Sequence, residues 1–155
     1  MLGPNAASLH LIAEDIEDCG LDAADLRKAA DAAQAGARIL DEIAVPRLLT
    51  GDLWTVNTML APTLRSRPSP ESSTWTAPGG GDADADWTLL MASEQRLAFF
   101  DTYGTPVSSS AAEFRRHVYE ARHLGAILLE RHRLGNATGV QAGYEDMAAV
   151  LAHLA

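Results

Sequence analysis

The spacing most typical of a metal site is Glu120 followed by His123, in a segment with helical periodicity. Side chains at i and i+3 project to one side of a helix, and metal-binding helical bundles use this Glu-x-x-His spacing. A complete site needs further inward carboxylates and a second copy of the motif, but the chain has one copy. Glu94 could add a carboxylate only after a dimer rearranged these faces. Because Glu120 and His123 fall opposite the apolar positions Phe114 and Val118, we expect a solvent-exposed pair and no metal or other cofactor.

Four polar side chains are candidates for catalysis inside a helical bundle: His117, His132, Glu94 and Tyr119. His117 and His132 lie on the predicted apolar face of one long helix. At about 1.5 Å per residue they are separated by roughly 22 Å along its axis, so they cannot share an ion. His10 and His153 have no partner that the sequence identifies.

An acidic segment follows the glycine run 79–81 and contains Asp82, Asp84 and Asp86. A calcium-binding EF-hand loop that starts at Asp82 needs Gly at its sixth position and Glu at its twelfth, where this chain has Trp87 and Ser93. We therefore expect an acidic cap before a helix N-terminus, where negative charge is favourable. The glycines precede aspartates and no Lys-Ser/Thr pair, which excludes a phosphate-binding loop.

The chain is acidic, with 21 Asp and Glu against 12 Lys and Arg and a formal net charge of -9. Such a surface repels phosphates, so we expect no nucleic acid and no membrane as a partner. The charges are also segregated along the sequence. Candidate partner-binding acids lie in the first helix and candidate partner-binding arginines in a late one: Glu14, Asp15, Glu17 and Asp18, and Arg115, Arg116 and Arg122. Either these groups face each other inside the bundle, or they dock onto another chain.

The composition predicts a mainly α fold, because 28 of the 155 residues are alanine and apolar residues recur at helical spacing. We expect a single domain, 1–155, built as a five- to six-helix bundle interrupted by a long loop rich in Pro, Gly and Ser. The predicted helices are about 6–19, 23–44, 53–61, 87–101, 111–134 and 139–154, and the loop is 62–86. Short β structure near 88–100 is the alternative for the fourth helix. The third, 53–61, is ambiguous, because Thr55, Val56 and Thr58 suit a strand whereas its length and position suit a short helix. Thr138 with Gln141 predicts a capping box for the last helix.

The loop carries a tryptophan that should not stay in water. Fourteen of the twenty residues 62–81 are Pro, Gly, Ser or Thr, and Trp75 lies in their midst. We expect Trp75 to dock, on a neighbouring chain in preference to its own bundle.

These features predict a non-enzymatic interaction or assembly subunit, an adaptor within a larger complex such as a phage or secretion particle. Its partner is another protein or a second copy of the chain. Two alternatives stay open: a small helical-bundle enzyme or ligand- or metal-binding protein, and an acidic inhibitor such as an immunity protein or antitoxin. A single cysteine, Cys19, is typical of a cytoplasmic protein.

Overall fold

A computed structural model of the chain describes residues 4–43, 47–49, 58–59, 71–72, 79–86, 101 and 108–154. The fold is mainly α, as the composition predicts. The helices of this part are α1 (Pro4–Asp18), α2 (Ala24–Ala35), α3 (Ala37–Asp41), α4 (Ser110–Arg133) and α5 (Ala137–Leu154). The strands are β1 (Arg47–Leu49), β2 (Thr58–Met59), β3 (Glu71–Ser72) and β4 (Gly79–Gly81), and β4 is followed by a 3-10 turn at Ala83–Asp86.

Two helices end at a glycine in the left-handed conformation. After α1, Gly20 has φ 76°, and the N–H groups of Gly20 and Leu21 donate to the carbonyls of Glu17 and Ile16 at 2.8 and 3.1 Å. After α4, Gly135 has φ 69° and is followed by the same pair of hydrogen bonds. This is the Schellman arrangement, which satisfies the last carbonyls of a helix and favours glycine because it has no Cβ.

The predicted single helix 23–44 is wrong, because the chain breaks at Gly36 into α2 and α3. The break coincides with a close approach of α4. A Cβ at Gly36 would lie 2.3 Å from Cζ of Phe114, closer than atoms can pack. Periodicity along α2 gives no sign of this contact, because Phe114 is 78 positions away in the sequence.

A serine caps α4, and the cap of α5 differs from the prediction. Ser109 Oγ accepts a hydrogen bond from the Ala112 N–H at 3.1 Å at the start of α4. For α5, Asn136 Oδ1 accepts from the Gly139 N–H at 2.8 Å. The helix therefore begins at Ala137, two residues before the predicted start, and Asn136 takes the role predicted for Thr138.

The helical core is apolar, and no polar or charged side chain of the described residues is fully buried. Its largest fully buried side chains are Leu9, Ile16, Val118 and Leu128. At Gly125 of α4 three helices meet, since a Cβ there would lie 2.9 Å from Ile12 of α1 and 3.0 Å from Leu26 of α2. Small residues therefore let these helices approach closely. None of the helices that the structure describes has the length and apolarity needed to cross a bilayer.

The chain divides by its internal contacts into two compact units, residues 1–42 with 106–155, and residues 43–105. The first is the helical unit. In the second, β1 pairs antiparallel with β4, and β2 pairs antiparallel with β3, with Thr58 opposite Ser72. The single domain over 1–155 stays a prediction.

Two predictions for the second unit are wrong where the structure describes it. Thr58 and Met59 form a strand, so at these positions the helix expected over 53–61 is wrong and the strand alternative holds. The expected loop 62–86 contains β3, β4 and the 3-10 turn. Asp82 caps that turn, because its Oδ1 accepts a hydrogen bond from the Asp84 N–H at 3.1 Å. Of the predicted helix 87–101 the structure describes Asp101 alone, which is helical. The β alternative near 88–100 and the docking of Trp75 lie outside the described residues.

Candidate functional site

The outer side of α1 presents an acidic surface around one apolar side chain. We call Leu11, Glu14, Asp15 and Asp18 the acidic face; the spacings of three, four and seven residues place them on one side of the helix. All four are exposed, and Leu11 is 63% exposed. The opposite side of α1 carries its buried residues Ala6, Leu9, Ala13 and Ile16. The helix is thus fixed by its apolar side and leaves the acidic face to solvent.

Glu17, predicted with the other acids as a partner-binding residue, already has a partner within the chain. Arg27 of α2 donates from Nε to Oε1 and from Nη2 to Oε2, both at 2.6 Å. These bidentate hydrogen bonds hold the pKa of Glu17 below its ordinary value, and burial opposes that shift with a smaller effect. Glu17 therefore joins α1 to α2, and the acidic face keeps three carboxylates.

The arginines of α4 also make contacts within the helical unit. Arg115 Nη1 donates to the carbonyl of Ile39 on α3 at 3.4 Å, and Arg131 Nη1 donates to the carbonyl of Gly139 on α5 at 2.8 Å. Arg115 and Arg116 are half-buried, whereas Arg122 is exposed. Arg115 and Arg131 thus tie α4 to its neighbouring helices.

The structure brings together two histidines and a carboxylate that the sequence analysis did not connect. We call His117, Glu120 and His153 the histidine–glutamate cluster. The rings of His117 on α4 and His153 on α5 are stacked, with centroids 4.6 Å apart and planes 5° from parallel. His117 Nδ1 lies 3.4 Å from Glu120 Oε2, too far and too poorly aligned for a well-formed hydrogen bond.

Glu120 is less exposed than its position on the predicted polar side implies. Its side chain is 21% exposed, and burial raises the pKa of this carboxyl above its ordinary value. His117 and His153 oppose that shift, whereas Asp146 adds to it. The predicted solvent-exposed pair of Glu120 and His123 is therefore wrong, since both side chains are half-buried.

A signal for the His117–His153 contact was present in the sequence. Both residues lie eighteen positions from Gly135, the turn between two helices predicted to be consecutive. In an antiparallel helical hairpin, residues at equal distances from the turn lie opposite each other. Periodicity within a single helix does not show this pairing, because it depends on the hairpin that joins the two helices.

The remaining candidates do not form one site. Tyr119 is buried in the helical unit, but His132 is exposed, so its predicted place on the apolar face is wrong. Glu94 lies outside the described residues. Among the residues that the structure describes, no group of three or more His, Cys, Asp or Glu side chains is arranged to hold a metal ion.

A small cleft lies beside the junction of α1 and α2. Its floor is apolar and its rim carries Asp22, Asp25 and Tyr144, whose hydroxyl accepts a hydrogen bond from the Asp22 N–H at 3.0 Å. Its volume is about 30 Å³, room for one or two water molecules. A metabolite does not fit there.

Comparison with known proteins gives no relative: no protein-family model matches the chain, and neither a curated protein nor a solved structure matches it.

Proposed function

We propose that this chain is a non-enzymatic interaction subunit, an adaptor that binds another protein through the acidic face of α1. The observation that carries the proposal is Leu11, 63% exposed and within one helical turn of Glu14 and Asp15. Protein interfaces commonly combine an apolar anchor with a charged surround. The acidic face has both, on a helix whose position its buried side fixes.

The chemistry of the face specifies the chemistry of the partner. Three carboxylates attract a surface rich in arginine or lysine, and Leu11 fits an apolar recess among those cations. The net charge of -9 adds long-range attraction to such a surface. It also disfavours contact between two acidic faces, so the proposed partner is a different, basic protein. A reducing, cytoplasmic location is part of the proposal, as Cys19 is the only cysteine.

The same face supports a narrower version, in which the chain is an acidic inhibitor that covers a basic active site. Glu14, Asp15 and Asp18 would then neutralise cations that the partner's own substrate needs. An enzymatic activity of the partner that falls upon binding distinguishes this version from an adaptor.

The test is site-specific photo-crosslinking in cells of the source organism, using the full chain. A photoreactive amino acid replaces Leu11 in one variant and Leu134 in the control. Leu134 is 74% exposed and follows Arg131 and Arg133, so it is a matched leucine in a basic setting. We expect one discrete adduct from position 11, identified by mass spectrometry as a protein with a basic surface, and no such adduct from position 134.

A second pair of variants separates the acidic face from net charge. One carries Glu14→Gln, Asp15→Asn and Asp18→Asn; its control carries Asp31→Asn, Glu42→Gln and Glu130→Gln, which remove the same charge from other exposed positions. The adduct at position 11 should disappear with the first set and persist with the second. No adduct, an adduct with a second copy of the chain, or an adduct indifferent to the first set contradicts the proposal.

A further inference from the structure

We infer that the histidine–glutamate cluster is a pH-sensitive contact, whose stacked form holds the last turn of α5 against α4 and is lost when both histidines are protonated. This inference does not depend on the proposed function. It rests on the placement of three titratable groups where two helices of one hairpin meet.

The geometry of the cluster makes its two rings compete for protons. Two neutral imidazoles, or one neutral and one charged, can stack in parallel. Two imidazolium rings with centroids 4.6 Å apart repel each other. The side chain of His117 is 27% exposed and His153 lies at the surface, so both rings can exchange protons with solvent.

The surrounding charges favour the first proton and give little support to the second. His117 Nδ1 lies 3.4 Å from Glu120 Oε2, so one imidazolium gains an adjacent carboxylate. Asp146, an exposed residue two turns before His153 on α5, also acts on Glu120. On α4 itself, Glu113 lies one turn before His117 and is exposed, and the half-buried Arg116 and His123 lie on the same helix. Solvent screens the exposed carboxylates Glu113 and Asp146, so they offset little of the repulsion between two imidazolium rings.

Glu120 strengthens the response to acid. Because burial raises the pKa of this carboxyl, it loses its charge at a higher pH than an exposed glutamate does. On acidification the cluster therefore loses its internal negative charge while it gains positive charge.

The last turn of α5 is the element that this repulsion can move. Val150 and Leu154 pack into the core from this turn, while Ala152 and His153 lie at the surface. Terminal helical turns open at small free-energy cost, so a repulsive contact there is relieved by local opening. The rest of α5 stays anchored through Gly143 and Met147.

The test is an NMR titration of the full chain with isotope-labelled histidine, from about pH 8.5 to about pH 4.5. We expect the ring signals of His117 and His153 to change together on acidification, because protonation of one ring alters the surroundings of the other. In the same samples, the exchange protection of the amides 150–154 should fall about tenfold on acidification, after correction for intrinsic exchange.

Three variants make the test specific. His153→Phe keeps an aromatic ring for stacking but cannot be protonated, so the acid-induced opening should disappear. His132→Phe is the matched control and should leave the opening unchanged. Glu120→Gln removes the carboxylate that favours protonation of the rings, so the opening should begin at a lower pH. A wild-type chain that shows no acid-induced opening of the amides 150–154, or an opening that is unchanged in His153→Phe, overturns the inference.

Discussion

At the scale of single residues, the informative groups are those whose environment differs from what their sequence neighbours suggest. Glu120 lies among polar residues, yet α5 half-buries it, and His117 receives its stacked partner from that same helix. Helical periodicity within α4 does not reveal this environment, because it depends on which side of α4 the next helix covers. By contrast, the exposed positions of Glu14, Asp15 and Asp18 follow from periodicity alone, and the structure confirms them.

The first prediction concerns Glu120 and pH. Its pKa is raised in the folded chain, so the folded chain holds this proton more tightly than the unfolded chain does. Burial of the charged form therefore lowers stability above that pKa, and the loss disappears as the pH falls through it. We expect Glu120→Gln to be more stable than the wild type at about pH 8, with a difference that shrinks towards about pH 5.

Chemical unfolding followed by circular dichroism at several pH values measures this difference. The control is Glu113→Gln, which removes an exposed carboxylate from the same helix. A Glu120→Gln variant that is less stable at about pH 8 and gains stability relative to the wild type as the pH falls would contradict the account.

At the scale of elements, the sequence predicts helices well where one apolar stripe and one end signal suffice. The segments predicted as 6–19, 111–134 and 139–154 are helices whose observed ends differ by two residues at most. The break at Gly36 depends on a distant phenylalanine, so it could not be predicted from local periodicity. Strands of two or three residues, such as β2 and β3, are too short to show any alternation.

A pair of glycine variants tests how closely the helices approach. Gly125→Ala puts a methyl group 2.9 Å from Ile12 Cγ2 and 3.0 Å from Leu26 Cδ2, and we expect a net loss of about 1–3 kcal/mol of stability. Gly143→Ala meets its nearest atom at 3.5 Å, an ordinary contact, and removes a flexible residue from a helix. We expect it to gain about 0.5–1 kcal/mol. The melting temperatures of the two variants should shift in opposite directions. Equal shifts would show that the helices around Gly125 have room for a methyl group.

The start of α5 distinguishes the structure from the sequence prediction. Asn136 caps this helix through Gly139, whereas the sequence pattern assigned that role to Thr138. We expect Asn136→Ala to lower the free energy of unfolding by about 1 kcal/mol, and Thr138→Ala, at an exposed position, to change it by much less. A larger loss from Thr138→Ala would restore the predicted capping box.

At the scale of the whole molecule, charge is the property that the sequence predicts most directly. A net charge of -9 concerns partners and association rates, and it says nothing of the fold. The helical unit assembles from two segments separated in sequence, residues 1–42 and 106–155. The amino-acid composition does not predict that these two segments pack together, because their packing depends on long-range apolar contacts such as those around Gly125. The position of the acidic face on this unit therefore follows from the structure and not from the composition.

The proposed binding of a basic protein by the acidic face of α1 can be tested directly. The measurement is the rate at which this chain associates with the protein that is crosslinked at position 11. Wild type is compared with the variant Glu14→Gln, Asp15→Asn, Asp18→Asn and with the control Asp31→Asn, Glu42→Gln, Glu130→Gln, which has the same net charge. At low ionic strength we predict a rate about tenfold lower for the first variant, since its charges lie in the contact, and less than about twofold lower for the control. Equal rates for the two variants, or a first variant that associates as fast as the wild type, would contradict the claim.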